Sequence, residues 1–327
     1  MSYNKKRTTF NAGMKAVLYG MVCAAALAAS ASCGEGETLR DCVWLWGHES
    51  GQIDGPKSAW GLPQFKVYYH QAQACRDFGV PNLCCIRWDR PKKDFRDSLA
   101  DLKRVTFPVS STKGDAKSYA KLLDWTFETA KEMPNMVGID FDDFFRAAKA
   151  PQPTAYTVDE LKDIRRRAAA LGRPFELRVI AYELLFLRGT GHSHARENPA
   201  AELSPYFEPF DKIMFWVWMG RNIKKLPTWF DELRKVSCGK PILLGLYLWD
   251  FGGTKKELLD EDMKFQLDFA LEKWKTGEID GVVFLATSIC NRDFAAVRMA
   301  REWIRANAEL TRCRPQRGAS IPQTRAP

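Results

Sequence analysis

The chain has 327 residues, of which 46% are hydrophobic, 12% aromatic and 27% charged, a composition that excludes a disordered or fibrous protein and suffices for a sizeable core. Its formal charge of +9 falls to +5 once Lys5, Lys6, Arg7 and Lys15 of the first segment are set aside, because no acid precedes Cys33. That mild excess is spread along helix-like stretches such as Lys162 to Arg167, which reads as a solvated face, and no nucleic-acid motif is present.

Behind those cations an apolar run from Ala16 to Ala29 leads to Ser30, Ala31, Ser32 and Cys33. This pattern predicts an export signal over residues 1–33, with an apolar run too short for a permanent membrane span. Ser30-Ala31-Ser32-Cys33 resembles a bacterial lipoprotein box, with Ser30 where Leu is usual, and Ala29-Ser30-Ala31 fits ordinary signal cleavage. The preferred reading is a lipoprotein of an outer or cell-surface membrane, held only through a lipid anchor at Cys33; the alternative is a periplasmic or secreted protein. Beyond the signal lie seven cysteines, an odd number with no CxxC pair. One or two disulfides and buried thiols both fit.

From there the sequence alternates. Apolar runs bounded by turn residues predict strands over Val43–Glu49, Asn82–Trp88, Arg104–Ser110, Met136–Phe144, Phe175–Glu183, Lys212–Met219, Pro241–Asp250 and Gly281–Ser288. Helical spacing follows in Gln64–Phe78, Phe95–Leu102, Asp115–Glu132, Val158–Leu171, Ala200–Phe207, Asn222–Val236, Lys256–Lys275 and Arg292–Asn307. Thr157 with Glu160 makes a capping box, and Gly172 is placed to close the fourth helix. Eight strand–helix repeats predict a single-domain α/β fold, a (β/α)8 TIM barrel over residues 34–310, with a polar, disordered tail at 311–327. An open doubly wound sheet fits less well, because Gly47-His48-Glu49-Ser50-Gly51 stands where a phosphate-binding glycine loop would follow the first strand.

A barrel gathers its C-terminal strand ends at one mouth, where enzymes of this fold keep their chemistry. Those ends carry Trp46, His48 and Glu49; Arg87; Asp140, Asp142 and Asp143; Tyr182 and Glu183; Trp218; Tyr247, Trp249 and Asp250; and Asn291 after the eighth strand. Asp140 and Asp142 share one strand face and Asp143 the other. Acids on separate strands suit glycoside hydrolysis, in which one protonates the leaving oxygen while another attacks or activates water. The expected catalytic set is Asp142 or Asp143 with Asp250, or Asp142 with Glu183. Aromatic rings suit the apolar faces of sugars, and Asn, His and Arg suit their hydroxyls. The apolar neighbours Phe144 and Phe145 point to Asp143 as the acid of raised pKa.

Val137-Gly138-Ile139-Asp140-Phe141-Asp142-Asp143-Phe144 resembles the fourth-strand signature of family 18 chitinase-like barrels, D-G-x-D-x-D-x-E, at Gly138, Asp140 and Asp142. Val137 replaces its first Asp and Phe144 its catalytic Glu, so the resemblance implies the barrel placement and not that family's substrate-assisted mechanism. Trp44–Glu49, Asp142–Phe145 and Tyr247–Gly252 also resemble exported bacterial barrel proteins similar to glycosidases, which extends the implied fold over nearly the whole mature chain.

The expected partner is therefore a carbohydrate or glycan, with no cofactor and no metal ligands assigned, and the pattern sets no oligomeric state. Two other functions compete. A catalytically inactive, glycan-binding barrel follows from the missing signature Glu. A metal-dependent hydrolase would use His192 and His194 with His48, Asp142 or Glu183, although barrel metallohydrolases usually carry such a pair on the first strand.

Overall fold

The computed structural model describes residues 37–54, 58–63, 68–109, 116–189, 193–285 and 287–312. The segment expected to be an export signal, Cys33 within it, and nearly all of the expected tail lie outside the described residues. One compact unit spans Thr38–Leu310. Among the described residues no helix is long and apolar enough to cross a membrane.

Eight parallel strands close into a barrel: β1 (Val43–His48), β2 (Asn82–Ile86), β3 (Arg104–Val109), β4 (Met136–Phe141), β5 (Glu176–Tyr182), β6 (Lys212–Trp216), β7 (Ile242–Tyr247) and β8 (Gly281–Leu285). They pair in chain order, and β1 closes the ring on β8 through Val43–Val282 to Trp46–Leu285. The helices are α1 (Gln71–Phe78), α2 (Lys93–Asp97), α3 (Ala116–Glu132), α4 (Val158–Ala169), α5 (Pro199–Phe207), α6 (Leu226–Val236), α7 (Asp260–Lys275) and α8 (Ala295–Asn307). The fold is a single-domain (β/α)8 barrel, as the alternating pattern predicts.

Apart from β3, whose expected last residue Ser110 lies outside the described residues, each strand stops short of its expected C-terminal end, and the last described residues of those runs belong to the loops that build the mouth. Thr157 and Glu160 form the expected capping box of α4, Glu160 N donating to Thr157 Oγ1 at 3.2 Å and Thr157 N to Glu160 Oε2 at 2.7 Å. Gly172, with φ 67°, turns the chain two residues beyond the Ala170 cap rather than at it. Cys75, Cys84, Cys85 and Cys238 are free thiols; burial raises the first three well above the ordinary thiol range.

Inward side chains stack in layers. At the N-terminal ends of the strands Glu176 pairs with Arg178 at 2.7 Å and with Lys212 at 2.6 Å. Above them Arg178 lies 3.9 Å from the Trp44 ring centre and 4.0 Å from Asp140, all three fully buried. Thr106 Oγ1 donates to Asp140 Oδ2. The charge lost from water here is met mainly by opposite charge and by the π-face of Trp44.

Candidate active site

A cavity of about 440 Å³ opens above these layers, at the C-terminal strand ends. Trp46 and His48 (β1), Asp142 and Asp143 (after β4), Tyr182 (β5), Trp216 (β6) with Trp218 beyond it, and Tyr247 (β7) line it. Period-two alternation places Trp46 and His48 on the inward face of β1 and Asp140 on that of β4, with Asp142 just beyond the end of that strand. Asp140 is sealed inside the barrel below and does not line the cavity.

Asp143 reaches the cavity by a different route from the one strand alternation predicts. β4 ends at Phe141, and Asp143 adopts φ 46°, a left-handed conformation that Asp tolerates better than most residues. That turn swings it onto the same wall as Asp142, while Phe144 points the other way and is fully buried against Phe141, Tyr156 and Phe210. Asp143 N donates to Asp142 Oδ1 at 2.9 Å, and Tyr182 Oη donates to Asp143 Oδ1 at 3.0 Å.

Burial, and then the adjacent charge of Asp143, push the carboxyl of Asp142 well above the usual carboxylate range. The raised acid is Asp142; Phe144 buries its ring in the core, Phe145 lines the cavity, and Asp143 is exposed. Tyr182 and Tyr247 are raised well above the ordinary phenol range by burial and by the nearby carboxylates, so both remain hydrogen-bond donors at neutral pH. His48 Nε2 accepts from Trp46 Nε1 at 3.3 Å, which places the proton on Nδ1, 3.4 Å from Gln52 Oε1. Burial lowers this imidazole to about 4, so it stands neutral in the cavity.

The aromatic side is continuous. Trp46 meets Trp216 edge-on at 6.0 Å, Trp216 meets Tyr247 at 5.0 Å, Tyr247 meets Phe251 at 5.5 Å, and Trp60 bridges Phe251 at 5.9 Å and Trp218 at 6.4 Å. Gly245 on β7 makes this wall possible, since a Cβ there would overlap the Trp216 ring. Trp216 and Trp218, both expected at the end of the sixth strand from their period-two spacing, line the cavity. Trp60, by contrast, sits in a long loop without periodic signal.

Several expected site residues are engaged elsewhere. Glu183 is fully buried and accepts from Trp218 N at 2.9 Å, Met219 N at 3.1 Å and Asn222 Nδ2 at 3.2 Å. Asp250 accepts from Gly220 N at 2.8 Å and from Thr254 N and Oγ1 at 2.6 and 2.9 Å. Neither lines the cavity. Arg87 pairs with Glu49 and, at 2.9 Å, with Asp89, its cation 4.6 Å from the Phe95 ring centre. Trp249 donates to Trp60 O at 2.9 Å and packs on Phe294, thereby supporting the loop that carries Trp60. Asn291 is exposed and outside the lining.

His194 lines the cavity, whereas His192 lies outside the described residues. Among the described residues no group of three or more His, Cys, Asp or Glu is placed to hold a metal ion.

No protein-family model and no curated protein matches the sequence. Solved structures share the fold. A GH18 chitinase from Pseudoalteromonas aurantia is similar with 10% identity and a TM-score of 0.52, covering 80% of this chain and 99% of that one. The spore cortex-lytic enzyme SleL of Bacillus megaterium QM B1551 is similar with 10% identity and a TM-score of 0.50, covering 84% of this chain and 75% of that one. At such identities the likeness is one of barrel architecture.

Proposed function

We propose that the chain is a glycoside hydrolase whose mouth cavity holds a sugar against Trp46, Trp216, Trp218 and Tyr247 and cleaves its bond with Asp142 and Asp143. The observation that carries this reading is a pair of carboxyls on one wall of the cavity, one of them pushed well above the usual carboxylate range, together with a continuous aromatic surface. Asp142 in its acid form gives its proton to the glycosidic oxygen as the bond from that oxygen to the anomeric carbon breaks. Asp143, oriented by the Tyr182 hydroxyl, supplies the second carboxylate, which either attacks the anomeric carbon or takes a proton from the attacking water. The fold shared with the GH18 chitinase and SleL supports a barrel of this use without assigning a reaction. Export, with or without a lipid anchor at Cys33, belongs to the same proposal and would place the enzyme among extracellular or envelope glycans.

A second reading, a glycan-binding barrel without turnover, is favoured by one observation: the position that holds the catalytic Glu in the family 18 signature is Phe144, and its ring is in the core. A screen of residues 34–327 on chromogenic glycosides and a glycan array, with wild type and Asp142→Asn in parallel, separates the two. Turnover that disappears in the variant supports the hydrolase. Binding that both proteins share, without turnover in either, establishes the glycan-binding barrel and removes the hydrolase.

A further inference from the structure

Glu183 and Asp250 stand at the ends of neighbouring strands-but-one, yet both turn their oxygens toward the same segment, residues 217–222 after β6. Glu183, at the end of β5, takes the amides of Trp218 and Met219 and the side-chain amide of Asn222. Asp250, beyond β7, takes the amide of Gly220 on one oxygen and the amide and hydroxyl of Thr254 on the other. Three consecutive backbone N–H groups, at residues 218, 219 and 220, are thus held by two buried carboxylates approaching from either side. Gly252 N donates to Trp218 O at 3.3 Å, which fixes the carbonyl side of the same residue.

The glycines at this point follow from the close approach. A Cβ at Gly220 would lie 2.7 Å from Asp250 Cγ, and one at Gly253 would lie 2.5 Å from Asp250 Oδ2. A Cβ at Gly252 would lie 2.6 Å from the Trp218 ring. Carboxylates with two oxygens and about four acceptor sites suit the amides of residues 218–220, which stand at the start of the 3-10 helix Gly220–Lys225 and have no partner within it. Charge-assisted hydrogen bonds are roughly twice as strong as neutral ones, so replacing either acid by its amide loses more than a single contact.

We propose that Glu183 and Asp250 are positioning residues that clamp the 217–222 segment and thereby hold the Trp218 indole in the sugar-binding wall of the cavity. The inference rests on the glycan reading for its consequence in binding, and on the hydrogen-bond geometry alone for the clamp itself. It also assigns a task to two of the acids whose strand-end location marked them as catalytic.

The clamp is read without substrate by amide hydrogen exchange. Glu183→Gln puts an NH2 where an acceptor is required, and the amides of Trp218 and Met219 are expected to exchange faster. Asp250→Asn is expected to do the same at Gly220 and Thr254. Unchanged exchange at these amides in variants that keep the wild-type fold by circular dichroism would overturn the clamp. Should Glu183→Gln fail to fold, Asn222→Ala, which removes one donor and leaves Glu183 in place, is the milder probe, with faster exchange expected at the Met219 amide, whose acceptor oxygen is the one Asn222 shares.

On a glycoside the wild type turns over, Glu183→Gln and Trp218→Ala are each expected to raise KM about tenfold with kcat little changed, as loss of ground-state and transition-state binding alike requires. The double variant should be no worse than Trp218→Ala, because the clamp acts through that ring. A kcat loss of 10²-fold or more in Glu183→Gln alone would mean that Glu183 touches the reacting atoms and would overturn the positioning role. Additive losses in the double variant would show that the clamp does not act through Trp218. Faster exchange with no glycan bound or cleaved by any variant would uphold the clamp and refute the function.

Discussion

At the floor of the barrel Glu176 faces two cations, Arg178 and Lys212, whereas at the mouth Asp142 faces another acid, Asp143. Glu176 projects from β5 and Asp142 from the residue just beyond β4, and both are partly buried. The floor answers burial with opposite charge, so Glu176 is held down at about 2 even though burial alone would push it up. The mouth adds a like charge to burial, and Asp142 is driven the other way. The difference lies in the company each acid keeps: Glu176, Glu183 and Asp250 are met by cations or several hydrogen-bond donors inside the protein, even though burial raises Glu183 too, whereas Asp142 adjoins a second carboxyl at the wall of a cavity.

The largest expected effect breaks the contrast at the mouth. Asp142→Asn should lower kcat by roughly 10²–10⁴-fold on any glycoside the wild type cleaves, since it removes a general acid. The same substitution should leave stability unchanged or raise it, because it deletes one of two adjacent carboxyls, and thermal unfolding checks this. A fall in both activity and melting temperature would place Asp142 with the structural acids.

Next in size is the floor. Arg178→Met leaves Glu176 with one cation and Asp140 with none, and removes the cation stacked on Trp44. Stripping one partner from a buried ion pair costs about 3–5 kcal/mol. Urea unfolding of wild type and variant measures the loss. A loss near zero would show that the floor is a convenience of packing and that the two ends of the barrel do not differ in kind.

Gly245→Ala tests the aromatic wall, with a smaller effect. The added methyl overlaps the Trp216 ring and forces it out of the wall, and overpacking of this sort costs about 1–3 kcal/mol. Because Trp216 touches both Trp46 and Tyr247, sugar affinity should fall along with stability. Stability lost with glycan affinity intact would remove Trp216 from the binding surface.

The barrel was legible because eight apolar runs alternate with eight amphipathic stretches, and a right-handed strand–helix–strand path leaves few other solutions. Trp46, Asp142, Tyr182 and Tyr247 were legible for the same reason: inward alternation carries a strand-end side chain into the mouth. For Glu183 and Asp250 the pattern locates an acid at a strand end without revealing which loop amides fold back onto it. Asp143 depends on a single left-handed residue that breaks the alternation, and Trp60 on a long loop whose path is set by a bond from Trp249, 189 residues away. Such contacts are non-local and leave no periodic trace.

The smallest effect, and the one that addresses both regions at once, is the pH dependence of stability. Glu176 has a folded pKa of about 2, below its ordinary 4.5, so its contribution is present above about pH 4.5 and is lost as pH falls toward 2. Asp142 has a folded pKa above its ordinary 3.8, so the folded state binds its proton more tightly than the unfolded chain does. Its contribution is complete below about pH 4 and is lost as pH rises through the folded value. Urea unfolding at a series of pH values should therefore give two differences of opposite slope. The stability gap between wild type and Glu176→Gln should close in acid. The gap between wild type and Asp142→Asn should shift in favour of the variant as pH rises from 4 to 8. Parallel curves for wild type and Asp142→Asn over that range would mean that Asp142 ionises as a surface acid does, and the proton it is proposed to donate would not be there.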